Sequence, residues 1–307
     1  MSKHVAVLMG GWSSERQVSL NSGSACAEAL EGEGFRVTQV DVGTDIATVL
    51  TDLRPDVALN ALHGPAGEDG TIQGLLEILR IPYTHSGVLA SALAMHKERA
   101  KTIMKAAGVS VPEGLIVNRH DAAKAHPLTP PYVIKPIAEG SSMGVIIVRD
   151  GRSHPPQILA SDEWVYGEQV LAETYIAGRE LTCAVMGDKA LGVIEIKPAS
   201  GEWYDFDAKY AEGGSIHVLP AEIKPKIYQR VQELSLTAHQ ALGCRGISRA
   251  DLRYDDTPGG TGALVVLEVN TQPGMTKTSL VPEIAAYAGL SFGELVRWMV
   301  EDATLGR

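Results

Sequence analysis

Apolar residues at the start of the chain come in short runs separated by stretches of helical period. Val5–Met9 is an unbroken apolar run that stops at Gly10-Gly11, the pattern of a strand buried on both faces. From about Glu15 to Glu33, Val18, Ser22, Ala25 and Ala29 recur at helical spacing and predict an amphipathic helix that Gly34 closes. Val37–Val40 predicts a second strand, Ile46–Leu53 a second helix, and Val57–Leu62 a third strand after Pro55. This βαβαβ order predicts a parallel sheet with right-handed crossovers. Such sheets bind ligands at the carboxyl ends of their strands, where Gly10-Gly11-Trp12 and His63-Gly64 fall. No GxGxxG is present, so the pattern does not support a dinucleotide fold.

The pattern then changes. A helical stretch spans Ser86–Ala107, and a polar, Pro-rich loop at 126–131 leads into strand Tyr132–Lys135. Val145–Val148 and Val170–Glu173 read as further strands. Glu180–Met186 and Ala190–Ile196 flank Gly187-Asp188 as a hairpin. A polar segment from about Pro198 to Leu219 reads as a long loop, and loops of that length in compact domains are usually functional or mobile. Lys224–Leu242 predicts a helix with Val231, Leu234, Leu236 and Ala238 inward. Strands Ile247–Tyr254 and Ala263–Asn270 flank a turn at 256–260, and helices Pro282–Ala288 and Phe292–Glu301 follow.

With 307 residues, the chain is long enough for two or three domains rather than one. A net charge of −10 disfavours nucleic acid and anionic membranes as main partners, leaving room for a local basic pocket. Three widely separated cysteines, Cys26, Cys183 and Cys244, include no CxxC pair, so neither a disulfide framework nor a zinc cage is expected. No apolar run approaches the roughly 18–20 residues of a membrane span, and no secretory h-region precedes Val5. The sequence reads as a soluble, reduced, cytoplasmic protein.

The strongest candidate chemistry lies on the last two strands. Arg249 and Asp251 share a face of one strand, and Glu268 and Asn270 share a face of the next. Adjacent strands therefore gather Asp251, Glu268 and Asn270 into an oxygen-only cluster suited to Mg²⁺, with Arg249 beside it. A solvated strand edge carrying a salt bridge is the alternative, and the apolar context ALVVLEVN makes it less natural. Lys135 followed by EGSSMG (139–144) suits phosphate, with a lysine at a strand end and small residues that let backbone N–H groups approach. An ordinary hairpin loop would look similar. Gly140, Ser142 and Gly144 also match GxSxG, but that elbow needs a following helix and VIIVRD reads as strand. Taken singly, Glu15, His63, Lys97, Lys209 and Tyr210 are ordinary residues.

Together these residues resemble a family. The blocks GGWSSERQVSLNS (10–22), LHGPAGEDGTIQG (62–74), YTHSGVLASALAMHKE (83–98), IKPIAEGSSMG (134–144) and EVNTQPGMTKTSLVP (268–282) closely resemble the D-alanine–D-alanine ligases of the ATP-grasp superfamily, in order from about Val5 to Val300. The resemblance implies an α/β chain: an N-terminal α/β domain with a parallel sheet (1–88), then a two-domain ATP-grasp fold with antiparallel sheets (89–177 and 178–307). It implies that Lys97, Lys135, Lys209 and Ser142 of the glycine-rich loop contact ATP phosphates, that Glu173 and the backbone at Ile176 hold adenine, and that Glu180 holds the ribose. Asp251, Glu268 and Asn270 would bind Mg²⁺, as two ions, with Mn²⁺ able to substitute.

For substrate, the resemblance implies that Glu15 and His63 bind the first D-alanine and that Ser141 and Tyr210 tie a mobile lid to Glu15. Arg249 and the Gly274 N–H would form an oxyanion site. Ser279 and the Leu280 backbone would bind the carboxylate of the second D-alanine. Relatives are commonly homodimers. Five positions depart from the usual pattern: His96, Ile137, Ala138, Thr174 and Gln272. Two rival readings are a D-alanine–D-lactate ligase, whose members typically lack the tyrosine at 210, and a non-catalytic nucleotide-binding protein. The retained carboxylates and lysines argue against the latter.

Overall fold

The computed structural model describes residues 2–140, 143–149, 154–198, 214–276 and 278–307. β1 (His4–Met9), β2 (Arg36–Asp41) and β3 (Val57–Asn60) form a parallel sheet of order β2-β1-β3, with α1 (Arg16–Gly32) and α2 (Ile46–Leu53) as crossovers. β1 is central, and its residues Val5–Leu8 are wholly buried. That is why it reads as an unbroken apolar run rather than an alternation. α1 buries Ser19, Ser22, Gly23, Cys26, Ala27 and Leu30, a stripe rotated by about one position from the predicted Val18–Ala29 face. Small side chains fill this stripe because Gly23 packs directly against Met9, leaving no room for a Cβ.

β3 stops two residues before the predicted Leu62. The Asn60 side chain accepts the Leu62 N–H at 3.1 Å and turns the chain out of the sheet. α3 (Thr71–Leu79), which the periodicity did not disclose, covers one face of the sheet with α2 through Ile72 and Leu76. The predicted 86–107 helix is two helices, α4 (Val88–Met95) and α5 (Lys97–Ala106). His96 breaks between them with extended backbone, and its ring accepts the Arg99 N–H as an N-cap.

A four-stranded antiparallel sheet follows, of order β4-β7-β5-β6, from β4 (Gly114–Asn118), β5 (Tyr132–Pro136), β6 (Ile146–Val148) and β7 (Gln169–Thr174). β4 and the short α6 (Arg119–Lys124) were not expected. The last sheet is five-stranded and antiparallel, of order β10-β9-β8-β11-β12, from β8 (Arg179–Met186), β9 (Lys189–Pro198), β10 (Ser215–Val218), β11 (Ile247–Tyr254) and β12 (Leu264–Asn270). β10 lies inside the stretch expected to be loop. Residues 199–213, with Lys209 and Tyr210, lie outside the described residues, as do Ser141 and Ser142.

α7 (Pro225–Ala241) covers one face of this sheet, packing Val231, Leu234 and Ala238 on Leu181, Cys183 and Leu252. On the other face α8 (Leu280–Tyr287) and α9 (Phe292–Asp302) share one core with β1, β3 and α1. Each large aliphatic side chain fully buried here contributes about 1.5–3 kcal/mol. This shared core fixes the end of β3 beside the end of β12, and Gln272 joins them. Its side-chain NH₂ donates to the Asn60 carbonyl, and its oxygen accepts from Asn60 Nδ2 at 3.2 Å. Among the described residues no helix is long and apolar enough to cross a membrane.

Candidate active site

The sheets enclose a two-part cleft. A hollow of about 90 Å³ lies between the four- and five-stranded sheets, lined by Val133, Lys135, Glu173, Ile176 and Leu267. A larger one of about 500 Å³ opens toward Glu15, His63, Arg249, Asn270, Gly274 and Ser279. Lys97, Glu139, Glu180, Asp251 and Glu268 line both, so the oxygen-bearing strand pair sits at the junction.

The register across β11 and β12 pairs Arg249 with Asn270 and Asp251 with Glu268, which puts all four on one face. Arg249 grips Asp251 at two points, Nε–Oδ1 2.8 Å and Nη2–Oδ2 2.7 Å, and the Thr182 hydroxyl donates to Oδ1 at 2.7 Å. Lys97 opens α5, where its ammonium lies 3.3 Å from Glu268 Oε2 and also donates to the Glu139 carbonyl. The donor set suits a hard divalent cation, with two carboxylates, one amide oxygen and cationic side chains already drawn to them. Among the described residues no three His, Cys, Asp or Glu side chains form a metal cage. A cation held here therefore needs further oxygens, such as phosphates.

At the smaller hollow, Glu173 is 2% exposed and sits between two ammoniums. Lys135 reaches Oε2 at 2.7 Å and Lys101 donates to Oε1. Burial alone would raise the Glu173 pKa, but Lys135 and Lys101 hold it below the usual carboxylate value. Burial and the neighbouring Lys135 push Lys101 down to about 7. Burial would lower Lys135 too, but Glu173 and Glu268 outweigh it and raise that pKa.

In the larger hollow Glu15 stands at the start of α1. Cβ atoms added to Gly64 and Gly140 would lie 3.3 and 3.4 Å from its Oε2, so the carboxylate is seated between the two backbones. The Ser13 hydroxyl donates to the His63 carbonyl at 2.8 Å and accepts the Glu15 N–H at 3.2 Å. His63 Nδ1 lies 3.1 Å from Glu68 Oε1, and its Nε2 lies 3.3 Å from Ser22 Oγ. Burial raises the pKa of Glu68. The Met275 N–H donates to Ser22 Oγ at 3.2 Å, which links His63 to the loop bearing Gly274.

Ser279 precedes α8, and its Oγ accepts the Thr276 N–H at 3.0 Å. A Cβ on Gly274 would come within 2.9 Å of that oxygen. Leu280, the first residue of α8, brings the start of a helix to the cleft wall, where first-turn N–H groups favour a carboxylate.

The cleft brings together every candidate among the described residues: Glu15, His63, Lys97, Lys135, Glu173, Ile176, Glu180, Arg249, Asp251, Glu268, Asn270, Gly274, Ser279 and Leu280. The departures from the usual pattern are accommodated. His96 caps α5, the Ile137 carbonyl accepts the Lys97 N–H at 2.9 Å whatever its side chain, Thr174 lines the smaller hollow, and Gln272 bridges to Asn60. Ser22, Glu68, Lys101 and Arg253 escaped the sequence reading. A second lysine one turn after Lys97 was the available signal for Lys101.

Residues 103–301 match the family described as "D-ala D-ala ligase C-terminus", and residues 44–86 match "D-ala D-ala ligase N-terminus". A D-alanine–D-alanine ligase of Methylorubrum populi is 89% identical over 307 residues, covering 100% of both chains. Two Bacillus anthracis D-alanine–D-alanine ligase structures are similar over 98% of this chain and 97% of theirs. One, complexed with ATP, has a TM-score of 0.80 at 31% identity, and the other 0.82 at 33%.

Proposed function

The chain belongs to the D-alanine–D-alanine ligase family and is an ATP-dependent ligase, and from that premise we propose how its own residues join one D-alanine to another. The observation that carries the reading is the placement of the Asp251–Glu268 pair at the junction of the two hollows. Nucleotide in the smaller hollow then points its phosphates at D-alanine in the larger one. Three units, 1–88, 89–177 and 178–307, supply the substrate wall, the nucleotide cover and the catalytic strands.

A carboxylate is a poor electrophile, so the γ-phosphoryl group of ATP is first transferred to the first D-alanine, giving D-alanyl phosphate. Glu15 holds that D-alanine by its ammonium, with His63 beside it. Lys97 and Lys135 neutralise the phosphates, and Glu180 and the Ile176 backbone hold the nucleoside. Mg²⁺ bound by Asp251, Glu268 and Asn270 would supply charge neutralisation at the transferring group. Ser279 and the Leu280 N–H hold the carboxylate of the second D-alanine. Its neutral amine attacks, and Arg249 with the Gly274 N–H stabilises the oxyanion, a type of contact worth roughly 10²–10³ in rate. Phosphate leaves and the dipeptide feeds peptidoglycan synthesis. Ser142 and Lys209 would add to the phosphate contacts, and Ser141 and Tyr210 would tie a lid to Glu15 that excludes water.

The protein works in the cytoplasm as a homodimer. The exposed apolar side chains of Ile78, Val88 and Leu89 support a contact surface on α3 and α4. The test is phosphate release with ATP and D-alanine, alongside dipeptide detection. Equimolar ADP, phosphate and D-alanyl-D-alanine support the reading. Phosphate release without dipeptide, or depsipeptide as the main product when D-lactate competes at pH 7.5, contradicts it.

A further inference from the structure

Residues 175–178 join β7 to β8 and so carry the chain from the four-stranded to the five-stranded sheet. Arg253, on β11 and 7% exposed, holds this crossing from below. Its Nε donates to the Ile176 carbonyl at 3.1 Å and its Nη2 to the Gly178 carbonyl at 2.9 Å. Its Nη1 lies 3.4 Å from Glu180 Oε2, and its guanidinium carbon is 5.9 Å from the centre of the Tyr175 ring. The crossing is packed tightly there: Gly178 has φ +83°, and a Cβ on it would come 2.2 Å from the Tyr254 carbonyl. Tyr175, Ile176 and Glu180 line the smaller hollow, as Arg253 itself does.

We infer that Arg253 is the positioning residue of the nucleoside end of the site, setting the Ile176 peptide and the Glu180 carboxylate that a purine and its ribose would meet. The inference rests on the reading that ATP occupies this hollow. The physical reason lies in the group. A guanidinium offers five donors in a rigid plane, so one side chain serves two carbonyls and a carboxylate at once while its charge lies over an aromatic ring. An ammonium is a point charge that can satisfy one or two of these partners and cannot fix their relative direction. Carbonyls of a buried crossing that lose their donor reorient toward water, and the peptide edge turns with them. Arg253 touches no reacting atom in this scheme. It acts through the backbone it holds.

The test compares wild-type enzyme with Arg253→Lys and Arg253→Met. The measurements are the KM values for ATP and for D-alanine, the ratio of kcat/KM for ATP over GTP, and the melting temperature. The loss of hydrogen bonds to a charged donor predicts a rise of about tenfold in the KM for ATP in both variants. The KM for D-alanine stays within about twofold, because uniform damage to the site is not expected. The preference for ATP over GTP falls, a change that a loss of general stability would not produce. Arg253→Lys with wild-type KM for ATP and wild-type nucleotide preference overturns the inference. So does an equal rise of both KM values, or loss of folding in both variants, since Arg253 would then be a residue of the fold alone. Failure of the wild type itself to turn over ATP with D-alanine is a different result and overturns the ligase reading instead.

Discussion

Arg249 and Asp251, two residues apart on β11, are locked in a two-point ion pair with Nε–Oδ1 at 2.8 Å and Nη2–Oδ2 at 2.7 Å. The pair joins the two roles proposed for the strand, because the carboxylate faces the metal position and the guanidinium faces the oxyanion. Asp251→Asn and Glu268→Gln keep shape and remove charge. Each should lower kcat by at least about 10²-fold, the scale of losing electrostatic stabilisation at a developing charge, while far-UV circular dichroism stays native. Wild-type rates in both variants at limiting Mg²⁺ would sink the metal assignment.

A second expectation concerns Ser22, wholly buried on α1 and the acceptor for the Met275 N–H. Ser22→Ala leaves that buried donor without its partner, at a cost of about 1–3 kcal/mol. The loop that carries Gly274 then loses its tether to His63, so kcat should fall more than the KM for D-alanine rises. A variant with wild-type kcat and wild-type melting temperature would show that the link does nothing.

Gly274→Ala addresses the acceptor end. The new methyl would meet Ser279 Oγ at 2.9 Å and turn it away from the Thr276 N–H. The KM for the second D-alanine should rise several-fold, on the scale of one lost hydrogen bond at about 0.5–1.5 kcal/mol, with ATP affinity unchanged. Steady-state kinetics at varied D-alanine distinguish this from a general loss.

How much of this could be read beforehand depends on the kind of signal. Period-two spacing placed Arg249, Asp251, Glu268 and Asn270 on one face, and the observed register agrees, because strand alternation survives whatever packs on it. The helix face of α1 was misjudged because small residues, Ser19, Gly23 and Cys26, fill it where Gly23 meets Met9, and hydrophobicity is blind to that. β4 is five residues long and its first two are exposed, so it carries little period. Glu68 and Lys101 look like surface charges in sequence. Only tertiary contact shows that both are paired, Lys101 buried and Glu68 half-buried.

Burial of the Lys101 ammonium beside Lys135, which outweighs its contact with Glu173, predicts a pH signature. The folded pKa of Lys101, about 7, lies below the 10.5 of the unfolded chain. Between these values the unfolded state binds more protons, so raising pH favours the folded state. The wild type should therefore gain stability relative to Lys101→Met from pH 7 to 10, by at most about 1.4 kcal/mol per pH unit. Denaturant melts of both proteins across that range measure it, and parallel curves would mean that Lys101 stays protonated in the fold.

The central claim is that ATP activates the carboxylate of one D-alanine before the other attacks, and an oxygen-isotope transfer tests it most directly. D-alanine labelled with heavy oxygen in its carboxylate is turned over with unlabelled ATP, and the released phosphate is examined by mass spectrometry. An acyl phosphate requires one carboxylate oxygen to leave with the phosphate, so the account predicts one heavy oxygen per phosphate released. Phosphate that carries no label while dipeptide accumulates would contradict it.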